Sequence, residues 1–220
     1  MTAKIITFSS SKGGCSKTTC CMCVSAELAE RGYRTLVIDC DHQATATQWS
    51  EAASDTAPFP STVINLAHFG GKVHREIERQ VHNYDFIVID CPSTLGNPIL
   101  QAAIFSSDLV LIPTRPSLAD VWASQAVKAL IERAPKGNDE AQVVFLPTMV
   151  TRTSLSNAML DAMQNLGLPV TRSFLWHRTA YQQAIVAGAS LSALGRGAAA
   201  AAREVSVLTD EILELVGGKQ

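Results

Sequence analysis

The sequence is short of several things, and each shortage removes a class of function. Positive charge is not in excess: 18 Lys and Arg face 20 Asp and Glu, for a net charge of −2 and a pI of about 6.2. That balance excludes a constitutive, strongly basic nucleic-acid binder, so any DNA contact must come from a local patch. No uninterrupted apolar run is long enough to span a bilayer, although mean hydropathy is +0.14. The first strand-like residues follow the N-terminus almost at once, which leaves no room for a signal peptide, and a cytoplasmic location is expected. The six cysteines (Cys15, Cys20, Cys21, Cys23, Cys40, Cys91) contain no paired C-x2-C ligand set. Cys20, Cys21 and Cys23 read as small packing residues of a helix, while Cys15 lies in a loop where a thiol reagent could find it. The five histidines are scattered and form no ligand pattern. Repeats and domain linkers are missing too, so residues 1–220 read as one domain with a single sizeable core.

What is present begins with residues 6–20, ITFSSSKGGCSKTTC. A short β-prone run (Ile5, Ile6, Phe8) leads into small polar residues, the pair Gly13-Gly14, then Lys17-Thr18 and a helical segment. Strand, glycine turn and helix start are the layout of a phosphate-binding loop. Glycines let backbone N–H groups close on an anion, and the helix N-terminus adds partial positive charge. Lys17 would supply a mobile charge for β- and γ-phosphate, and the Thr18 hydroxyl a ligand for Mg²⁺. Gly13, Gly14, Cys15 and Ser16 would form the backbone cradle, with Thr19 reaching the α-phosphate. Ser11 and Ser16 stand where the strict G-x-x-x-x-G-K-[ST] pattern has glycine; the loop follows K-G-G-x-x-K-[ST] instead.

Strand and helix signals alternate along the rest of the chain. A helix is expected over Lys17 to Arg31, stopped by Gly32, and a buried strand over Arg34 to Asp39; strand, helix and strand within about forty residues make a βαβ unit with a parallel sheet. Further expectations are a short helix (Ala44–Ala52), a loop (Ala53–Ser61), an edge strand (Ser61–Leu66) and an exposed helix (Lys72–Val81). A third buried strand (Tyr84–Asp90) precedes a helix (Pro98–Phe105) and a strand (Asp108–Ile112), broken by Pro113 to Pro116. There follow a helix (Leu118–Arg133), a polar turn (Lys136–Glu140), a strand (Gln142–Leu146), a helix (Ser156–Leu166) and a last strand (Val170–Leu175). Helices over Ala180–Val186 and Ala198–Val216 close the chain. The fold class is α/β, a doubly wound, mostly parallel sheet flanked by helices.

Parallel strands bring their C-terminal ends to one edge, where ligands bind. Asp39, Asp41 and Asp90 end two of these strands beside the loop. An NTPase needs that set: a lysine for phosphate charge, a hydroxyl and carboxylate around Mg²⁺, and a group to orient water.

The motif with its opening Lys12 resembles the deviant Walker A loop of the ParA/MinD family of ATPases, a P-loop NTPase family. The resemblance implies that Lys12 reaches across an ATP-sandwiched homodimer. Asp39-x-Asp41-x-Gln43 resembles the family's switch segment, which implies that Asp41 positions water and that Asp39 belongs to the Mg²⁺ environment. Val88-Ile89-Asp90-Cys91-Pro92 resembles Walker B, with Asp90 acting on Mg²⁺ through water. Leu111 to Asp120 resembles a proline-marked segment near the nucleotide and dimer surface. Pro147-Thr148-Met149 falls where the family packs adenine, which puts Thr148 and Met149 at the base and makes ATP the nucleotide.

The family's DNA face points to the C-terminal third. There Arg152, Arg172 and Arg178 are the DNA candidates, with Arg196 and Arg203 nearby. No DNA-reading domain precedes the loop, so the chain is similar to the short ParA type. That type implies a partition or positioning ATPase, slow in turnover and nucleoid-associated. Its ATP dimer binds double-stranded DNA non-specifically, and a cargo adaptor (ParB-like or equivalent) stimulates hydrolysis; the cargo is a plasmid, a chromosome region or a protein cluster. A MinD-like membrane ATPase is the first alternative. It fits less well, because Asp210, Glu211 and Glu214 near the C-terminus oppose anionic lipid, and no membrane partner is expected. A metabolic deviant-Walker ATPase, with an iron–sulfur cluster shared across the dimer, is the second.

Overall fold

The computed structural model describes residues 2–10, 12–93, 96–133, 141–165 and 169–217. Six strands form one sheet: β1 (Lys4–Phe8), β2 (Thr35–Asp39), β3 (Thr62–Asn65), β4 (Phe86–Asp90), β5 (Leu109–Thr114) and β6 (Gln142–Pro147). Their order is β3-β2-β4-β1-β5-β6, and every neighbouring pair is parallel. The helices are α1 (Lys17–Glu30), α2 (Thr45–Glu51), α3 (Val73–Gln80), α4 (Pro98–Ser106), α5 (Leu118–Arg133), α6 (Ser154–Gln164), α7 (Thr179–Ala187) and α8 (Ala199–Gly217). Among the described residues, no helix is long and apolar enough to cross a membrane.

Strand periodicity splits the core in two. Ile6, Phe8, Phe86, Val88, Leu109 and Leu111 face one layer, packed under α1, α2, α7 and α8. Ile5, Ile87, Ile89, Val110 and Ile112 face the other, under α3, α4, α5 and α6. The chain leaves β1 toward α1 on one face and leaves β5 toward α5 on the other. Between those adjacent strands the connections diverge, and a crevice opens at the C-terminal edge of the sheet.

Most expected elements are present within a residue or two, and the differences have identifiable causes. β5 continues through Pro113 to Thr114 instead of breaking. The Leu111 carbonyl accepts from Ser9 N on the β1 side and the Thr114 carbonyl from Thr148 N on the β6 side. Pro113 therefore turns its missing N–H toward β1, whose pairing with β5 stops at Phe8 opposite Leu111. The helix expected to be exposed over Lys72–Val81 is α3, which buries Val73 and Ile77 against the sheet after a 3-10 turn at Ala67–Lys72.

No continuous strand forms over Val170–Leu175; two isolated bridges, Phe145 to Val170 and Val150 to Trp176, stand in its place. The N–H groups of Arg172 and Ser173 turn away from β6 and donate to Glu211 of α8, at 2.7 and 2.8 Å. A carboxylate accepting two backbone donors competes successfully with an edge ladder. The polar turn expected at Lys136–Glu140 lies outside the described residues.

One close approach ties α2 to α7. Gly188 caps α7 in the left-handed region at φ 61°, and a β-carbon there would stand 2.1 Å from the Ala53 nitrogen. Beside it, buried Trp49 of α2 donates its indole N–H to the Ala189 carbonyl at 3.2 Å. Gly188→Ala combines overpacking against backbone with left-handed strain, a loss of about 3 kcal/mol or more. A thermal melt should show the variant lower by roughly 6–12 °C for a chain of this size.

Candidate functional site

The crevice is a cavity of 420 Å³ lined by residues from five parts of the chain: the loop from Lys12 to Thr19, the segment Asp41–Thr45, Ser93 after β4, Thr148 with Met149, and a wall from Leu175 to Ile185. The loop holds its shape with short-range bonds. The Lys12 carbonyl accepts from the Ser10 hydroxyl at 3.0 Å and from the Cys15 thiol at 3.1 Å. Gly14 takes φ 77°, and Ser16, which caps α1, takes φ 67°. Among the described residues, Ser16 is one of three non-glycine residues with positive φ, the others being Ala44 and Met149. All three flank the cavity. Such strain costs of order 1–2 kcal/mol per residue and concentrates where a ligand needs the backbone.

Under the loop lies a buried ionic cluster. Lys17, only 6% exposed, sends its ammonium to Oδ1 of the fully buried Asp90 at 2.8 Å, and it stands 3.9 Å from Asp41. The Thr18 hydroxyl donates to the other oxygen of Asp90 at 2.6 Å. Burial works against the lysine's charge, but the charge and hydrogen bond of Asp90 outweigh it and hold Lys17 above its ordinary value. The cluster is a fixed, dry cation with a hydroxyl and a carboxylate oxygen beside it.

Asp39 and Asp41 are used differently. Asp39 pairs in register with Asp90 across β2 and β4. Its carboxylate is turned along the chain, accepting from Asp41 N at 3.1 Å and from the backbone and hydroxyl of Thr47 at 2.9 and 2.8 Å. It fixes the shape of the segment leading into α2. Asp41 lines the cavity and accepts from Gln43 N at 3.0 Å.

On the opposite side, the buried Thr148 hydroxyl donates to the Cys15 carbonyl at 3.2 Å, joining the end of β6 to the loop. Lys12 leaves the cavity floor and donates to the Ala119 carbonyl at 3.1 Å, with Asp120 at 3.3 Å. Asp120 is itself held by Arg115 and Ser117. Lys12 therefore rests on its own chain at the start of α5.

The sequence reading did not find the wall formed by Leu175, Trp176, Tyr181, Gln182 and Ile185, nor Thr45; Gln43, named there only as part of the switch segment, lines the cavity as well. The aromatic and polar cluster Trp176-His177-Arg178-x-x-Tyr181 was the available signal. Arg178 lines this cavity, and Glu204 of α8 accepts from its guanidinium at 2.7 Å. Arg172 is paired with Glu211 and Glu214, also on α8. Both arginines border a second groove, of 690 Å³, together with Glu204, Asp210, Glu211 and Glu214. Arg152 lies over the Trp176 ring, 5.4 Å from its centroid, a cation–π contact.

All six cysteines are free and buried, and this corrects the expectation for Cys15, whose thiol is covered in the loop and bonded to the Lys12 carbonyl. Burial pushes the Cys23 and Cys91 thiols up to about 12, as expected of packing residues. Among the described residues, no group of three or more His, Cys, Asp or Glu side chains is placed to hold a metal by itself.

Comparison with known proteins places this geometry in a family. The family model for an AAA domain matches residues 3–68 and 61–142. The maintenance of carboxysome distribution protein A of Halothiobacillus neapolitanus is 32% identical over 92% of this chain and 93% of its own length. In fold, the chain resembles a Cyanothece McdA variant in complex with ATP (TM-score 0.78, 18% identity, 99% of this chain and 98% of that one). It also resembles the septum site-determining protein MinD of Pyrococcus horikoshii with Mg-ADP (TM-score 0.71, 17% identity, 97% and 98%). Loop, ionic cluster, sheet order and relatives agree, and the chain belongs to the ParA/MinD family of deviant Walker A ATPases.

Proposed function

We propose that this chain is a slow ATP hydrolase that positions a protein cluster in the cell. ATP joins two copies into a sandwich dimer, the dimer holds double-stranded DNA non-specifically on the nucleoid, and an adaptor on the cargo, ParB-like or equivalent, stimulates hydrolysis and release. The buried Lys17–Asp90–Thr18 cluster under a glycine loop carries the proposal, because it supplies in one place what phosphoryl transfer needs. Among the possible cargoes, a protein cluster is favoured by the relative at 32% identity, whose name concerns carboxysome distribution.

The donor set fits Mg²⁺. Thr18 and Asp90 offer hard oxygens, few in number, as an ion that keeps its waters and shares phosphate oxygens requires. When bound, Mg²⁺ would neutralise charge on the phosphates. In this reading, Lys17 turns from Asp90 to the β- and γ-phosphates, and the backbone of Gly13 to Ser16 encloses them. Asp41, at the cavity edge, orients the attacking water, while Asp39 holds Asp41 in place through its backbone N–H and so acts on the metal environment indirectly. Lys12 leaves Asp120 to reach the partner's nucleotide. Thr148 and Met149 meet the base.

Of the DNA candidates, Arg152 and Arg172 remain as phosphate contacts, whereas Arg178 is held by Glu204 between the cavity wall and the second groove. Arg172 must exchange Glu211 and Glu214 for phosphate.

Lys17→Ala is expected to lose nucleotide binding by equilibrium titration with ATP. Asp41→Ala should retain the ATP dimer in size-exclusion chromatography while phosphate release falls by about 10²-fold or more; full turnover in that variant would remove Asp41 from the mechanism. Binding to random-sequence duplex DNA, measured with ATP, with ADP and without nucleotide over a salt series, tests the whole reading. Tight binding with ATP alone, weakening steeply with salt, is the expected outcome. Absence of binding in all three states, with the ATP dimer present, would overturn the DNA-based reading.

A further inference from the structure

We infer that Glu204 of α8 is the positioning residue for the far wall of the cavity, and that it governs how much the base, as distinct from the phosphates, contributes to nucleotide binding. The inference rests on the reading of this cavity as a nucleotide site.

One carboxylate gathers the wall. Oε1 of Glu204 accepts from Arg178 Nε at 2.7 Å and stands 2.5 Å from Nη2. Oε2 accepts from the backbone N–H of Trp176 and from the Tyr181 hydroxyl, both at 3.2 Å. All three donor residues line the cavity. The Glu204 side chain is 14% exposed, so these bonds form largely out of water, where charge-assisted hydrogen bonds are strongest. Burial and the neighbouring carboxylate push the Tyr181 phenol far above its usual range, which keeps it a neutral donor.

Residues 175–177 hang on the end of β6 and the segment after it through three bonds: Leu175 N to Pro147 O, Val150 N to Leu175 O and His177 N to Val150 O. Leu175 and Tyr181 pack into the core, and the Trp176 ring meets Phe174 and Arg152. To these Glu204 adds a charged tie shared by Trp176, Arg178 and Tyr181. Glu204 reaches the same segment from the opposite side, and its own helix is braced. Arg31, at the end of α1, donates to the carbonyl and hydroxyl of Ser206 at 2.9 and 2.8 Å. Since α1 begins at Lys17, the phosphate end and the base end of the cavity are joined through two packed helices.

The charge of Glu204 matters, not only its shape. A carboxylate accepts at every lone pair, whereas a glutamine amide turns two N–H donors toward groups that are themselves donors. Glu204→Gln would therefore leave part of the wall unpaired while keeping its volume. Nothing in this change touches the phosphate loop.

Binding of Mg-ADP and of Mg-tripolyphosphate, a probe with phosphates and no base, separates the two ends. Glu204→Gln is expected to weaken Mg-ADP by about tenfold, the scale of a lost charged hydrogen bond, while tripolyphosphate affinity stays at the wild-type value. Glu204→Asp keeps the charge but is too short to hold both oxygens in place, and it should show a smaller loss of the same selective kind. It also carries the test if the Gln variant does not fold. Equal weakening of both probes, or unchanged affinity for Mg-ADP, would overturn the inference. Wild-type protein that binds neither probe would overturn the nucleotide reading itself.

Discussion

A lysine ammonium with almost no access to water is the constraint around which this molecule is arranged. Lys17 is 6% exposed and Asp90 is fully buried, so neither charge is tolerable without the other. Removing one partner of such a pair costs about 3–5 kcal/mol, because the survivor is left desolvated. Satisfying the lysine requires β4 to end at Asp90 directly beside the end of β1, and the register Phe8 opposite Asp90 provides this. In the proposed reading, the same arrangement makes Lys17 exchangeable. A phosphate group can replace Asp90 as the counter-charge, while Asp90 keeps its bond from Thr18 and becomes available to a divalent cation. A pair that would be only a stability feature elsewhere becomes a switchable one at the mouth of a cavity.

The backbone around the pair is held in unfavourable conformations by the rest of the fold. Ser16, Ala44 and Met149 all adopt positive φ without being glycine, and a backbone hydrogen bond lies at or beside each of them. Cys20 N donates to the Ser16 carbonyl at 2.8 Å, and Ala44 N to the Asp41 carbonyl at 2.9 Å. Val150, directly after Met149, donates to Leu175 at 3.0 Å. Strain of this kind persists only where surrounding contacts over-determine it. Two layers of apolar side chains on one sheet provide the frame for those contacts, and the site lies at the edge of that sheet.

What could be read from the sequence follows the range of the interactions involved. The phosphate loop was legible because its chemistry is local: glycine turn, lysine, hydroxyl and helix start lie within a dozen residues. The strand-ending aspartates were legible because a parallel α/β sheet sends every strand end to one edge. The wall over residues 175–185 was not, because it is assembled in part by Glu204 of α8, which accepts from Trp176, Arg178 and Tyr181, more than twenty residues earlier in the chain. Nor was the loss of the strand at 170–175, where Glu211 takes the Ser173 donor that a β ladder would have used, together with the outward Arg172 N–H. Both misses have one origin, the acidic face of α8, which bonds to residues far from it in the sequence. Arg178 stood out through the resemblance as a DNA candidate, and the fold shows its guanidinium engaged by that helix.

Charge placement also argues that DNA affinity, if it arises as proposed, belongs to an assembled state. With a net charge of −2, one copy offers phosphate little general attraction. The three DNA candidates are already occupied: Arg172 by Glu211 and Glu214, Arg178 by Glu204, and Arg152 by the face of Trp176. A DNA phosphate would have to displace carboxylates to reach Arg172, so the gain from a single contact is the small difference between two ion pairs. Two copies held together by nucleotide present two such surfaces on one scaffold, and the second contact then forms at high effective concentration. Weak, masked contacts multiplied by dimerisation give a steep dependence on nucleotide state. Strong exposed ones would bind DNA at all times and leave hydrolysis with nothing to release.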